Sequence, residues 1–248
     1  MALRFLFIFI GFCLGTACTP QLSLTNLSKE TSLTVDSNIP PDPVAASIIA
    51  PYKTQLDQEM STVIGQATYR MEKQSTESSL GNLVADIIFE TGTYHYSKPI
   101  DLSIVSLGEI NSSLAKGPIL KSDIYELMPA EHKLFILELN HIQIQELVEY
   151  QVKKKDLSVG NAVLVVKDSK PLKFYIGGQP FDRQKTYTLA VSDFLAHGGG
   201  GMTFLKQAKR LQKVEITIRD LIFDYLAIQQ QEGKSIEAII EGRIKILP

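Results

Sequence analysis

Apolar residues follow two periods along this chain, one typical of helices and one typical of strands. Apolar positions three and four residues apart predict helices over residues 44–63, 78–94, 121–128, 141–155, 203–209 and 219–230. Short runs rich in β-branched residues predict strands over residues 66–73, 101–108, 133–140, 161–168, 172–178, 186–193, 214–217 and 243–247. Pro51 predicts a kink or break in the first helix, and Gly117 with Pro118 predicts a turn.

The order of these elements decides the fold class. Residues 161–193 hold three strand candidates with no helix between them, which argues against a simple doubly wound sheet. We therefore expect an α+β or mixed α/β fold. Residues 44–248 suffice for one domain with a full core.

The first residues have the pattern of a secretory signal. Arg4 precedes an apolar run over residues 5–14, which is too short for a stable membrane anchor. Gly15, Thr16 and Ala17 then precede Cys18, and this resembles the cleavage box of bacterial lipoproteins, in which the cysteine is acylated. We expect a signal peptide over residues 1–17 and a lipid on Cys18; the alternative is an ordinary cleaved signal with a spare cysteine.

Residues 18–43 are rich in Ser, Thr, Pro and Asn and show no steady period, so we expect a flexible tether. Together with the signal, this predicts a lipid-anchored protein of the bacterial cell envelope, facing the periplasm or the cell surface. The formal net charge is −2 and the basic residues are spread along the chain, which argues against a nucleic-acid partner.

The common hydrolytic sites are not visible in the sequence. The four histidines are scattered, and none lies in a short-spaced cluster with other metal ligands: His95, His132, His141 and His197. No G-x-S-x-G elbow occurs, and Ser192, Asp193 and His197 lie too close along one segment to form an obvious triad. We assign neither catalytic residues nor a metal site.

Four consecutive glycines, residues 198–201, are the most unusual local feature. Such a run can bring backbone N–H groups close to an anion or a base edge. It can equally be a tight turn that needs positive φ angles. It matches neither common phosphate-binding motif, so spacing leaves both interpretations open.

Three segments, in this order, resemble the carboxy-terminal domain of the 5′-nucleotidase and UDP-sugar hydrolase family. They are ESSLGNLVAD at 77–86, DLSIVSLGEINSSLAKGPILKSDIYELMP at 101–129, and YTLAVSDFLAHGGGGMTF at 187–204. The family patterns are similar to E-S-x-L-G-N-L-x-A-D-A, N-S-G-G-I-R-A followed by P-F-x-N, and N-D-F-L-A-x-G-G-D-G-Y. The resemblance covers roughly residues 45–248.

The resemblance implies a substrate-binding domain and not a catalytic one. In the family a preceding metallophosphatase domain holds two metal ions, and only the tether precedes residue 44 here. We therefore expect no cofactor in this chain, with divalent metals only in a separately encoded phosphatase partner.

The family's binding residues carry over in part. Phe194 matches one of two aromatics that enclose the base, and Ala130 stands at the second. His132 replaces an Asn and Asn111 replaces an Arg, which removes a permanent cation suited to phosphate. Further binding positions implied by the match are Gly198, Gly199, Gly200, which stands at an Asp of the family, and Arg70.

Two functions follow from these residues. The first is a nucleotide-recognition or accessory subunit for a separately encoded metallophosphatase, not catalytic alone, and the retained Phe194 supports it. The second is an envelope lipoprotein that binds another protein and keeps a vestigial nucleotide pocket, which Ala130, Asn111 and Gly200 favour.

Overall fold

The computed structural model describes Asp36 and residues 39–247. The predicted signal peptide, Cys18 and most of the predicted tether lie outside the described residues. The chain divides into two compact units, residues 1–49 and residues 50–248. The described part of the first unit ends in the first turns of helix α1. Among the described residues no helix is both long and apolar enough to cross a bilayer.

In chain order, the elements are α1 Pro43–Met60, β1 Val63–Ala67, α2 Ser79–Tyr96, β2 Leu102–Ser106, β3 Gly117–Leu120, α3 Lys121–Leu127, β4 Lys133–Leu139, α4 His141–Lys154, β5 Leu157–Gly160, β6 Ala162–Lys167, β7 Lys170–Ile176, β8 Gln179–Pro180, β9 Tyr187–Ser192, α5 Asp193–Ala196, β10 Lys209–Thr217, α6 Ile218–Gln231 and β11 Ile244–Leu247. Two short 3₁₀ turns, Gly199–Gly201 and Thr203–Gln207, lie between α5 and β10.

A five-stranded sheet in the order β10-β4-β9-β2-β5 forms the centre of the second unit. Strand β2 runs parallel to β9, and the other pairs in this sheet are antiparallel. A second sheet has the order β11-β6-β7-β8, and β1 pairs with β3 as a separate two-stranded ribbon. This mixture of helices with parallel and antiparallel strands confirms the mixed α/β class.

Both faces of the central sheet are buried. Leu134 and Ile136 lie in one apolar cluster with α2 and α6, whereas Phe135 and Leu137 lie in a second cluster with α4 and strands of the second sheet. Successive residues of a strand point to opposite faces, so a strand covered on both sides must be apolar throughout. This explains why residues 134–137 of β4 form a continuous apolar run.

Helix α2 forms as its pattern predicts. The Ser78 side chain caps it by accepting from the Gly81 N–H at 3.0 Å, and the predicted stripe is buried: Leu80, Leu83, Val84, Ile87 and Ile88. Helix α4 carries Lys153 and Lys154 in its last turn, where cations favour the negative end of the helix dipole.

Several element boundaries differ from the predictions. The first strand is Val63–Ala67 and not residues 66–73, because it pairs with Gly117–Leu120. Gly117 and Pro118, predicted to form a turn, therefore belong to a strand. The predicted helix over residues 203–209 is a 3₁₀ turn followed by a strand that begins at Lys209 and pairs with β4. Strand β5 was not predicted. These segments are short, and their partners lie far along the chain.

Pro51 lies inside one continuous helix, so the predicted break is wrong. A proline removes one backbone hydrogen bond, and this helix tolerates the loss. None of its residues is buried.

Candidate functional site

The predicted site lies at one edge of the central sheet. Strands β2 and β9 are parallel neighbours, so the segments that follow Ser106 and Ser192 leave the sheet at the same edge. Strand β4 is antiparallel to β9, with Leu134 opposite Ser192, so the residues just before β4 lie at that edge too. The sheet thus brings three segments together that are far apart in sequence.

Phe194 lies on α5, the single helical turn after β9. The Ser192 hydroxyl caps this turn by accepting from the Leu195 N–H at 3.2 Å. Leu195 and Ala196 are buried, whereas Phe194 is 41% exposed. Neighbouring helical residues point about 100° apart, so one turn buries two side chains and presents the third. Part of the Phe194 ring is therefore exposed to solvent.

The glycine turn, residues 198–201, holds the Phe194 ring. Three of its four φ angles are positive: Gly198 (86°), Gly200 (63°) and Gly201 (91°). A Cβ on Gly199 would lie 2.5–2.6 Å from three atoms of the Phe194 ring. The Gly200 carbonyl also accepts from the Tyr150 hydroxyl at 2.8 Å. Backbone conformation and close packing therefore account for all four glycines.

His132 stacks on Phe194. Their ring centroids are 5.2 Å apart and their planes 28° from parallel, and His132 Nδ1 lies 3.2 Å from Asp193 Oδ1. In the family pattern P-F-x-N, His132 stands at the Asn position. In the structure it supplies the aromatic neighbour of Phe194, in place of the ring that Ala130 lacks.

The loop that carries Ala130 and His132 is anchored by α6. Arg219, only 7% exposed, donates to the carbonyls of Met128 and Pro129 at 3.3 and 3.1 Å and to the Glu131 carboxylate at 3.1 Å. The Ile218 N–H donates to the His132 carbonyl at 2.8 Å. The backbone of His132 is therefore fixed, while its side chain remains at the surface.

Glu109 is a site residue that the sequence analysis missed. It is 8% exposed, its Oε2 accepts from the Ser106 N–H at 3.0 Å, and its Oε1 is buried without a hydrogen-bond partner among the described residues. Burial raises the pKa of Glu109 and the nearby Asp193 adds to the rise, while the Ser192 hydroxyl, the Ser106 N–H and His132 oppose it. The Ser192 hydroxyl lies near this carboxyl group.

One signal in the sequence could have revealed Glu109. When Ile110 and Asn111 are matched to the I-R of the family pattern, Glu109 stands at its second glycine. A carboxylate in place of a glycine, between a buried strand and a buried isoleucine, is an unusual substitution.

Asn111 and Arg70 lie together but not on Phe194. Asn111 is exposed, and its backbone N–H donates to the Leu127 carbonyl at 2.9 Å. Arg70 contacts Ser113 in the same loop at 3.1 Å, and its Nε lies 2.5 Å from Glu72 Oε1. Among the described residues, no hydrogen bond or ring contact joins either of them to Phe194.

His197 holds the far side of α5. Its Nε2 lies 3.0 Å from Arg210 Nη1, and its Nδ1 lies 2.6 Å from the Asp193 carbonyl oxygen. Arginine only donates, so Nε2 accepts and Nδ1 carries the proton that bonds the carbonyl. The Arg210 guanidinium also lies 5.2 Å from the centroid of the Phe135 ring. His197 therefore links α5 to Arg210 on β10.

The described residues of the site hold no recognisable metal-binding group. Within residues 39–247, no cluster of three or more His, Cys, Asp or Glu side chains is arranged to hold a metal ion. Five clefts of 210–600 Å³ are lined by other parts of the described chain and by none of the residues around Phe194. A ligand here would depend on stacking and a few polar contacts.

Comparisons with known proteins agree with this geometry. The chain is 28% identical over 173 residues to endonuclease YhcR of Bacillus subtilis, covering 66% of this chain and 14% of that protein. It is 24% identical to the 5′-nucleotidase-related protein of Glossina morsitans morsitans, covering 86% of this chain and 43% of that protein. The chain thus spans less than half the length of these relatives.

A solved structure matches the fold. The 5′-nucleotidase precursor from Thermus thermophilus superposes with a TM-score of 0.70 and 26% identity, covering 84% of this chain and 44% of that one. The family model described as 5′-nucleotidase, C-terminal domain, matches residues 56–207, more than half of the chain and all of the segments that build the site. This chain therefore belongs to the 5′-nucleotidase C-terminal domain family.

Proposed function

We propose that this domain recognises the base of a nucleotide or nucleoside at Phe194 and does so for a metallophosphatase carried on another chain. The exposed Phe194 ring, held by the Gly199 backbone, is the observation that carries the proposal. Stacking of a base on such a ring contributes about 1–3 kcal/mol. The domain itself positions the substrate and does not hydrolyse it.

The relatives support nucleotide chemistry. Their names describe a nuclease and 5′-nucleotidases, all of them much longer than the matched part. The site residues lack a metal-binding cluster, so the metal ions that activate a water in such a reaction would belong to the partner. A lipid on Cys18 would keep the domain in the bacterial cell envelope, facing the periplasm or the cell surface.

The second candidate is an envelope lipoprotein that binds another protein and has lost nucleotide affinity. Two observations favour it: the His132 ring already lies on Phe194, and Asn111 offers no charge to a phosphate. The two functions differ in whether a small molecule binds near Phe194.

Calorimetric titration of the full-length chain in mild detergent, without added metal, tests the proposal. We expect saturable binding of adenosine, AMP or UDP-glucose at micromolar to low-millimolar concentration, since one stacked face and few polar contacts stabilise the complex. Phe194→Ala should abolish it. Tyr94→Ala, which removes another exposed aromatic ring (80% exposed) on α2, is the matched control and should leave binding unchanged.

The possible outcomes separate the two candidates. Binding that persists in Phe194→Ala would show that the ligand lies elsewhere. Absence of binding to all three compounds would favour the protein-interaction function, and capture of an envelope partner would be the next experiment.

A further inference from the structure

The ring of His132 lies where the proposed ligand would stack. Its centroid is 5.2 Å from that of Phe194, and its Nδ1 lies 3.2 Å from Asp193 Oδ1. Imidazole is a planar nitrogen heterocycle, and here one ring nitrogen faces a carboxylate. The site therefore already holds, on the chain itself, a group with the chemistry of a small nucleobase.

The bond that fixes the His132 loop uses the backbone and not the ring, because the Ile218 N–H donates to the His132 carbonyl. Within the described chain, the ring stacks on Phe194 and contacts Asp193. The side chain is 28% exposed, so it can rotate towards solvent. A ligand that replaces it restores both interactions.

Glu109 indicates that such a ligand would also carry a hydrogen-bond donor. Its Oε1 is buried and makes no hydrogen bond to the described residues, although the Ser192 hydroxyl lies near the carboxyl group. The carboxyl group interacts electrostatically with His132 and Asp193, the two residues that contact each other beside Phe194. A buried acceptor that lacks a partner is costly, and a donor from a ligand would satisfy it. Carboxylates accept well from the exocyclic amine of a base such as cytosine.

The charges around Phe194 do not favour a phosphate. Three arginines near these loops are already held by an acidic, histidine or carbonyl partner: Arg70, Arg210 and Arg219. Asp193 contacts His132 beside the ring, and the buried Glu109 carboxyl group interacts electrostatically with both of these residues. The side chain of Lys206 lies over Gly198 and brings one cation to the glycine turn. An anion at Phe194 would meet this single lysine together with the Asp193 carboxylate, which opposes its binding.

We infer that the surface formed by Phe194, Asp193 and Glu109 binds a nucleobase or nucleoside that bears an exocyclic amine. The base takes the place of the His132 ring, and this domain does not recognise phosphate. The inference rests on the proposed function, because it assumes that a base stacks on Phe194.

Titration of the full-length chain with three matched ligands tests each part. Adenosine should bind roughly tenfold more tightly than purine riboside, which has the same ring system without the amine, since a hydrogen bond to a charged group is involved. AMP should bind no more tightly than adenosine. Glu109→Leu, which removes the acceptor but keeps an apolar side chain of similar size, should bring the ratio of adenosine to purine riboside affinity close to one.

His132→Ala tests the displacement directly. We expect adenosine to bind several-fold more tightly to this variant, because no ring has to be moved, and free imidazole should compete with it. Unchanged or weaker adenosine affinity in a folded His132→Ala protein would overturn the displacement. Circular dichroism and a urea unfolding curve establish that each variant is folded.

Failure of the inference can be told from failure of the proposed function. Equal affinity for adenosine and purine riboside, with binding of both lost in Phe194→Ala, would support the base site at Phe194 and refute the role of Glu109. AMP binding more than tenfold tighter than adenosine would show that the domain recognises phosphate and would refute that part of the inference. Loss of this difference in Lys206→Ala would identify Lys206 as the residue that binds the phosphate. No binding to the wild type or to His132→Ala would refute both.

Discussion

Single residues around Phe194 set the shape and the charge of its surface. Gly199 lies against the ring so closely that no side chain fits between them. The buried carboxyl group of Glu109 lies near His132, and His132 adds a second ring to the surface. The proposed recognition therefore involves these three residues as well as Phe194, and each of them can be tested directly.

Gly199→Ala should displace the Phe194 ring. A new Cβ 2.5–2.6 Å from three ring atoms forces the ring or the backbone to move, at a cost of about 1–3 kcal/mol in unfolding free energy. Adenosine binding should fall as far as in Phe194→Ala. Gly201→Ala strains a positive φ angle but meets no atom within 4 Å, so it should lose stability and keep its ligand. Equal ligand affinity in the two variants would contradict this assignment.

Glu109→Gln should stabilise the protein at neutral pH. Burial raises the pKa of Glu109, so the folded state binds its proton more strongly than the unfolded state does. The stability that the protonated acid contributes is fully present below the ordinary pKa of 4.5 and is lost as pH rises through the raised value. Urea unfolding at pH 4.5 and pH 8 should show a gain on the order of 1 kcal/mol at pH 8 only.

Glu126→Gln, at an exposed position of α3, is the control for that experiment and should change stability equally little at both pH values. A Glu109→Gln protein less stable than the wild type at pH 8 would mean that the ionised carboxylate has a partner that the structure does not reveal.

At the scale of elements, a carboxylate at the start of α2 holds the carboxy-terminal segment. Glu77 accepts from the N–H groups of Glu241 and Gly242 at 2.9 and 3.1 Å, and from the Asn82 amide at 2.9 Å. The Ile244 N–H adds a bond of 3.3 Å at the first residue of β11. Strand β11 pairs with β6 at one edge of its sheet, so Glu77 holds this end of the chain together with the ion pair between Arg243 and Asp86.

Glu77→Gln should therefore loosen β11. Burial opposes the charge of Glu77, but the Asn82 amide and the backbone donors outweigh it and lower its pKa. Its stabilising contribution is present above the ordinary pKa of 4.5 and is lost as pH falls through the lowered value. We expect a loss of about 1–3 kcal/mol at pH 7 and a smaller loss at pH 3.

Hydrogen exchange checks where the loss occurs. Faster exchange should appear in residues 241–247, while Glu146→Gln, at an exposed position of α4, should leave exchange unchanged. Uniform acceleration over the whole domain would show that Glu77 stabilises the fold and not this segment.

At the scale of the whole molecule, the central sheet separates two apolar cores, and the candidate site lies at one edge of this sheet. The segments after β2 and β9 and before β4 meet there because of how these strands are ordered and directed. Recognition residues on loops above a rigid sheet are a common arrangement, since the sheet fixes their spacing. The residues at this edge provide stacking and hydrogen bonds and, within the described chain, no metal cluster.

Nucleoside binding should therefore be independent of metal. Titrations of adenosine in EDTA and in millimolar Mg²⁺, Mn²⁺ or Zn²⁺ should give affinities within about twofold of one another, because stacking and hydrogen bonding involve no bound ion. An increase of tenfold or more with any of these ions would show that the domain holds a metal ligand set.

Local pattern sufficed for the long helices and the central strands. The stripe of α2 and the continuous apolar runs of β2, β4 and β9 need only the identity of neighbouring residues, and the family motifs marked Phe194 and the glycine turn. Strand β3 could not be found in this way. Its four residues become a strand because β1, more than fifty residues earlier, pairs with them.

The sequence by itself determined the fold class and the family, because these depend on short-range pattern and on motifs read in order. Only the tertiary structure decided that His132 lies on Phe194 and that Glu109 is buried beside them. The contact between His132 and Asp193 spans 61 residues. Such contacts depend on which strands are neighbours and in which direction each one runs, and no local pattern carries that information.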